Sequence, residues 1–234
     1  MKRVLSSLVV LVLIGASAIA VQHAVADEAV ANINGRLFEL SRVQAQTGVA
    51  PDEATIQQLA ADAKSALRLA PGNGQYWNAL ARVHYTPRTN ASGAVVTDLD
   101  AAFVAAKASV INQPSSGYAW GSLAFASDQL MVQNRLPGGQ IALAQSLARA
   151  AALGAAEPQV LRNVVDLGFA DLDQLSVPGR QSVMQSVNHL ALHHADDAVA
   201  LALRRGKLAE ACMEKRLASQ KACAILVNVN AISS

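Results

Sequence analysis

The histidines near residue 190 are the residues whose types and spacing are best suited to chemistry. His189, His193 and His194 precede Asp196 and Asp197. Two histidines four residues apart on one helix can direct both imidazoles toward one metal ion. No third ligand follows at a spacing that would close such a site. The pattern therefore favours a solvated helix face and turn, and the alternative is a metal- or glycan-dependent enzyme that uses His189 and His193.

Residue spacing predicts no other catalytic site. We find no Ser-His-Asp, Cys-His or paired-carboxylate arrangement, no CxxC motif and no glycine-rich phosphate loop in the sequence. We therefore expect a protein that is not an enzyme, with no catalytic residues, no metal and no cofactor.

The two cysteines, Cys212 and Cys223, are expected to pair, since an oxidising compartment favours a disulfide over two free thiols. Eleven residues of continuous helix would separate their Cα atoms by roughly 16 Å, and bridging requires less than about 7 Å. A bond therefore demands a turn, which we place at residues 220–222. Residues 220–234 then form a tail that folds back on the last helix.

The segment from residue 204 to 221 is basic. Arg204 and Arg205 are its candidate partner-facing residues, because such a segment can face an acidic polysaccharide, a phospholipid headgroup or an acidic partner. The alternative is a solvated terminal helix with basic residues near its end. The charged residues are Arg204, Arg205, Lys207, Lys215, Arg216 and Lys221 against Glu210 and Glu214.

The first 26 residues are typical of an export leader. Lys2 and Arg3 precede an uncharged stretch at residues 4–21, and Ala24-Val25-Ala26 offers a small-x-small cleavage site. About 18 uncharged residues can also remain as an inner-membrane anchor with the basic end inside. Both outcomes, cleaved signal peptide or uncleaved anchor, place the body of the protein in the periplasm.

The body that follows the leader is electrically neutral. Without Lys2 and Arg3 the 19 basic residues become 17, against 17 acidic residues. Nucleic-acid binding requires a surplus of Lys and Arg to neutralise phosphates. We therefore expect no nucleic-acid partner, and we expect protein partners in the cell envelope.

An internal repeat is the most informative pattern in the chain. The motif P-x-x-G-x-x-W-x-x-L-A occurs twice, 43 residues apart, and a degraded third copy follows. The tryptophans occupy identical positions, which favours packing over stacking on sugar rings. The repeat-packing residues are Pro71, Trp77, Leu80 and Ala81, then Pro114, Trp120, Leu123 and Ala124, then Pro158, Leu167 and Gly168.

Hydrophobic periodicity around these motifs predicts an all-α fold of antiparallel helix pairs, in three to four units, over residues 27–219. Each proline ends one helix and precedes the next. The predicted helices cover residues 27–47, 53–70, 74–85, 97–112, 116–135, 138–153, 157–170, 177–194, 196–205 and 207–219.

These motifs resemble the tetratricopeptide (TPR) family, whose pattern W-x2-L-G-x2-Y after a proline is matched at Pro71, Trp77, Leu80, Ala81 and His84. The resemblance implies a stacked α-solenoid. The excess length of each repeat falls between its two helices, at residues 86–93 and 136–139. Insertions in repeat arrays map to one face, which makes Arg88 and Leu136 candidate partner-facing residues.

The leader, the helix pairs, the junction Leu-Gly-Ala-Ala-Glu-Pro158 and the Cys-containing end resemble the VpsP-like group of TPR-like proteins, which is associated with bacterial exopolysaccharide biosynthesis. That resemblance implies an accessory scaffold for polysaccharide polymerisation and export. Other scaffolds for envelope assembly or cytochrome maturation are alternatives within the same class. A helical bundle whose repeat has no binding groove is the structural alternative.

Overall fold

The computed structural model describes the backbone of residues 2–214, together with Leu217 and Cys223, and the side chains from residue 12 onward. This described part contains ten helices and one short hairpin, which confirms the all-α class. The helices are α1 (Lys2–Thr47), α2 (Glu53–Leu69), α3 (Gly74–Tyr85), α4 (Leu99–Asn112), α5 (Gly117–Val132), α6 (Gly139–Leu153), α7 (Pro158–Ala170), α8 (Val177–Ala191), α9 (Ala195–Arg204) and α10 (Leu208–Cys212), and the hairpin strands are β1 (Arg88–Thr89) and β2 (Val95–Val96).

Most helix ends lie close to their predicted positions, because local capping residues set them. Asp52 accepts a hydrogen bond from the backbone N–H of Thr55 at 2.7 Å, and this bond lowers the pKa of Asp52. Asn73 and Ser116 accept equivalent bonds at the starts of α3 and α5. Pro158 occupies the first turn of α7, where its missing N–H costs nothing.

Several element predictions differ from the structure. The helix predicted for residues 116–135 ends at Val132. No break separates the leader from the first body helix, since α1 is continuous from Lys2 to Thr47. The helix predicted for residues 177–194 ends at Ala191, and the last predicted helix, 207–219, appears as the short α10. Residues 215–216, 218–222 and 224–234, which include the predicted turn at 220–222 and nearly all of the tail, lie outside the described residues.

The first compact unit extends to Asn112 and is built on one stripe of α1. Ala26, Val30, Ile33 and Leu37 are buried against the unit, at the spacing of one helix face. Tyr76 of α3 is fully buried and donates its hydroxyl hydrogen to Asp27 at 2.6 Å. The packed part of α1 therefore begins at the residue that precedes the predicted cleavage point.

The preceding part of α1 is exposed on all sides from residue 12 to residue 25. Within the described residues, none of the helices combines the length and the apolar character needed to cross a membrane. The side chains of residues 4–11, which form half of the predicted leader segment 4–21, lie outside that description.

A hairpin occupies the loop predicted after α3, where no strand was expected. The N–H of Thr89 donates to the carbonyl of Pro51 at 2.8 Å, so the hairpin is attached to the start of α2. Arg88 differs from its predicted role at a partner-facing edge: its side chain is only 15% exposed and its Nε lies 3.9 Å from Glu53 Oε1. The hairpin carries Arg88 inward because β1 pairs back toward α2.

The second compact unit begins at Gln113 and has its own hydrophobic core. Leu143, Leu147, Phe169 and Leu190 are fully buried in it, on α6, α7 and α8. Consecutive helices of this unit contact each other, and α5 also contacts α7, α6 contacts α8 and α7 contacts α9. From α5 to α9, each helix therefore packs against its neighbour and against a helix two positions away along the chain.

Candidate functional site

The repeated tryptophans have the same local role in both units. The indole N–H of Trp77 donates to the carbonyl of Pro71 at 2.9 Å, and that of Trp120 donates to the carbonyl of Pro114 at 2.8 Å. Both rings are half-buried. Each indole closes the turn that enters its helix, which explains why proline and tryptophan recur six residues apart. This hydrogen bond was not expected from the sequence.

Most of the other repeat-motif residues are buried or half-buried. Leu80 and Ala81 are buried and so is Ala124, whereas Leu123 is half-buried and Pro71 and Pro114 are exposed at the helix entrances. In the third copy, half-buried Pro158 begins α7, and Leu167 and Gly168 are buried.

The α5–α6 loop forms a surface depression of about 350 Å³. Leu136, a predicted partner-facing residue, lies in its wall together with Met131 and Ile141. The side chain of Ile141 is 67% exposed, although a large aliphatic group gains free energy when it is buried. Gly138 begins α6 in the left-handed conformation, at φ 72°, which is favourable for glycine.

The loop depression, by which we mean the surface lined by residues 131, 134 and 136–141, has a polar connection to the rest of the unit. Gln140 donates from its Nε2 to Oε1 of Gln174 at 3.0 Å. Gln174 belongs to the turn between α7 and α8. The wall of the depression is therefore linked to the end of α7.

A pair of buried carboxyl groups lies close to this turn. Asp128 of α5 is 5% exposed, and Asp171, the residue that caps the C-terminus of α7, is 7% exposed. Burial, and then the hydrogen bond and charge of Asp128, raise the pKa of Asp171 to about 7. Spacing had predicted no paired carboxylates. Their separation is 43 residues, whereas Pro114 and Pro158 of the corresponding repeat copies are 44 residues apart, so the repeat does not place the two aspartates at equivalent positions and gave no signal for the pair.

The described basic residues of the C-terminal segment, Arg204, Arg205 and Lys207, have acidic neighbours on the same unit. Arg205 holds Asp166 of α7 with two hydrogen bonds of 2.9 and 2.8 Å, and Lys207 lies 2.6 Å from Asp173. Arg204 is more exposed and lies 3.8 Å from Asp166. Lys215, Arg216 and Lys221 lie outside the described residues. Of the two candidate partner-facing residues, Arg205 is thus mainly an internal ion-pair residue, and Arg204 is the more exposed.

The histidine cluster has a different geometry from the one considered above. His189 lies on α8, but His193 follows the end of that helix, so the two residues do not share one helical face. Asp197 accepts two hydrogen bonds from Arg162, at 2.8 and 2.6 Å, and lies 3.9 Å from His194. Among the described residues, no three histidine, cysteine or acidic side chains are arranged to hold a metal ion.

The predicted disulfide is present. Cys212 and Cys223 are bonded, with Cα atoms 5.4 Å apart. Cys223 and the nearby Leu217 are buried in the core of the second unit. The short separation of the two Cα atoms excludes continuous helix from Cys212 to Cys223, and the disulfide joins the buried Cys223 to the last residue of α10.

Comparison of the chain with protein-family models finds no match, and a search of curated proteins finds none either. The TPR-like and VpsP-like resemblances therefore stay predictions from the repeat motifs.

Proposed function

We propose that the protein is a non-enzymatic periplasmic scaffold with TPR-like helix-pair repeats, and that the loop depression binds a protein of the cell envelope. The observation that carries this proposal is the exposed side chain of Ile141 in the first turn of α6, which lies in the wall of the depression beside the half-buried Leu136 of the preceding loop. Exposed apolar surface next to a rigid element is typical of protein-binding sites.

The packing pattern supports the repeat arrangement. Contacts of α5 with α7, α6 with α8 and α7 with α9 are those of helix pairs that stack in succession. In such an array, insertions between paired helices collect on one face, which is where the loop depression would lie.

The partner class that we propose is a component of exopolysaccharide polymerisation or export, as the resemblance to the VpsP-like group implies. Residues 1–26 serve as an export signal or as an inner-membrane anchor. General envelope assembly and cytochrome maturation are the competing partner classes, and the identity of the captured protein distinguishes among them.

The test is affinity capture of the full-length protein from native membrane extracts, followed by mass spectrometry. Wild type is compared with Ile141→Asp and with a matched control, Ile111→Asp. Ile111 is 70% exposed on α4, so both substitutions place a charge at a solvated aliphatic site.

We expect polymerisation or export proteins to be captured by wild type and by Ile111→Asp, and to be lost with Ile141→Asp. Equal recovery with both variants would move the binding site away from the loop depression. If no envelope protein is enriched over an unrelated exported protein, the scaffold proposal is wrong.

A further inference from the structure

Asp128 and Asp171 form a buried pair that the protein chain satisfies only in part. Both carboxyl groups are more than nine-tenths buried, and the hydrogen bond and charge of Asp128 raise the pKa of Asp171. Two ionised carboxylates have only acceptor atoms, so a hydrogen bond between them requires a proton. Gln129 donates to Asp128 Oδ2 at 2.8 Å. Within the described chain, Oδ2 of Asp171 is buried and receives no hydrogen bond from any protein donor.

The nearest cation is already engaged by another carboxylate. Arg205, which follows α9, attracts both Asp128 and Asp171 electrostatically, but its guanidinium makes two hydrogen bonds to Asp166 of α7. Arg204 is also close to this carboxylate, at 3.8 Å from Asp166. Arg205 therefore offsets only part of the repulsion between two ionised aspartates.

The remaining charged groups at this end of α7 are also paired. Lys207 lies 2.6 Å from Asp173, in the turn after α7, and 3.5 Å from Glu210 of α10. This lysine has two acidic neighbours of its own. Ionisation of both Asp128 and Asp171 would consequently leave a buried negative charge that the neighbouring cations do not neutralise.

Both members of the pair are close to the loop depression along the chain. Asp128 precedes Met131, which lines the depression, by one turn of α5. The carbonyl of Asp171 accepts hydrogen bonds from the N–H groups of Gln174 and Leu175 at 2.8 and 3.1 Å. Gln174 in turn holds Gln140 in the depression wall. A change in the spacing of the two carboxyl groups therefore acts on the depression from both sides.

We propose that Asp128 and Asp171 are a proton-binding site that regulates the loop depression. With one proton shared, the pair joins α5 to the end of α7 and the depression is held in shape. When that proton leaves to solvent, repulsion between the two carboxylates separates α5 from the turn after α7, and the hydrogen bond between Gln174 and Gln140 is lost. The regulatory meaning of this switch rests on the proposed binding function, but the switch itself does not.

The first measurement is a carboxyl ¹³C NMR titration of the full-length protein from pH 5 to pH 9. Wild type is compared with Asp171→Asn, Asp128→Asn and a control, Asp196→Asn, in which an exposed aspartate of α9 is replaced. We expect one aspartate resonance with a midpoint of about 7 in wild type and in the control, its loss in Asp171→Asn, and a lower midpoint in Asp128→Asn, where burial remains but the charge of Asp128 is removed. If every aspartate of wild type titrates below pH 5, the shared proton does not exist.

The second measurement is hydrogen exchange by mass spectrometry at pH 6 and pH 8, corrected for intrinsic exchange rates. In wild type and Asp196→Asn, segments 133–141 and 171–176 are expected to exchange faster at pH 8. Asp171→Asn should lose this pH dependence and resemble wild type at pH 6, because the asparagine amide can donate to Asp128 as the shared proton does. Asp128→Asn provides the same test if Asp171→Asn does not fold.

A pH effect that persists in both dyad variants, or no pH effect in wild type, would overturn the proposal. Both measurements use the isolated protein and need no partner. They can therefore fail while partner capture at Ile141 succeeds, or succeed while capture fails, so the two proposals are tested separately.

Discussion

Gly168 lies where α7 packs most closely against α8, and replacing it by alanine tests that packing directly. A Cβ atom at this position would lie 2.2 Å from Cγ2 and 2.8 Å from Cγ1 of Val183. Val183 is fully buried, so its side chain cannot turn into solvent to make room. In the first two repeat copies the equivalent residues are Ala81 and Ala124, so the third copy requires the smaller residue.

The expected cost follows from two opposing effects. Overpacking of a core costs typically about 1 to 3 kcal/mol, and contacts this short favour the upper part of that range. Alanine is better than glycine inside a helix by about 1 kcal/mol, which offsets part of the cost. We therefore expect Gly168→Ala to lower the free energy of unfolding of the second unit by about 2 kcal/mol.

Gly121→Ala is the matched control. Gly121 also lies within a helix of the second unit, α5, but a Cβ there would meet nothing within 4 Å. The free energy of unfolding of Gly121→Ala should exceed that of wild type by roughly 0.5 to 1 kcal/mol, from helix propensity alone. The assay is urea unfolding followed by far-UV circular dichroism, in which an unchanged m value shows that the midpoints compare directly.

A double-mutant cycle with Val183→Ala identifies the clash as the cause. The valine truncation should cost less in the Gly168→Ala background than in wild type, because it removes the methyl groups that the new Cβ meets, and the coupling should reach at least about 1 kcal/mol. If Gly168→Ala is as stable as Gly121→Ala, α7 and α8 do not pack closely at Gly168 and Val183.

Two further predictions concern the disulfide and the pH dependence of stability. Replacing Cys212 and Cys223 with serine should lower the free energy of unfolding by about 2 to 3 kcal/mol in urea titrations. A reductant should produce the same loss of stability in wild type and no loss in the variant. If wild type is equally stable after reduction, the disulfide does not constrain the chain. Because the pKa of Asp171 is raised from 3.8 to about 7, its stabilising contribution is complete below the unfolded pKa and is lost as pH rises through 7. The free energy of unfolding should therefore fall by about 2 kcal/mol between pH 5.5 and pH 8, and an equal fall in Asp171→Asn would contradict this assignment.

The helices themselves followed from local sequence, with ends mostly within a few residues of the prediction. Asp52, Asn73 and Ser116 satisfy backbone N–H groups in their own first turns, so their effect can be read without knowing what the helix packs against. The pairing of Cys212 with Cys223 also followed, from the number of cysteines and the predicted compartment.

The positions and contacts of side chains were harder to predict, as Arg88 and the tryptophans illustrate. Arg88 is a charged residue in a loop, which favours exposure, but the register of a two-residue hairpin carries it toward Glu53. The periodicity of α3 placed Trp77 on a packing face, whereas its indole N–H bonds to the carbonyl of Pro71 at the helix entrance. In both cases one specific contact, the ion pair of Arg88 with Glu53 or the hydrogen bond of Trp77 to Pro71, outweighed the average preference of the residue type.

The hydrophobic period, the prolines, the caps and the repeated motif are sufficient to specify an all-helical chain with helix pairs in a defined order, because each acts within one or two helical turns. Tertiary packing alone brings Asp128 close to Asp171, pairs Arg205 with Asp166 and packs Gly168 against Val183. Those contacts join residues on different helices, and their distances depend on how closely the helices pack. That closeness is set by side-chain volumes summed over the whole interface, which no local pattern encodes.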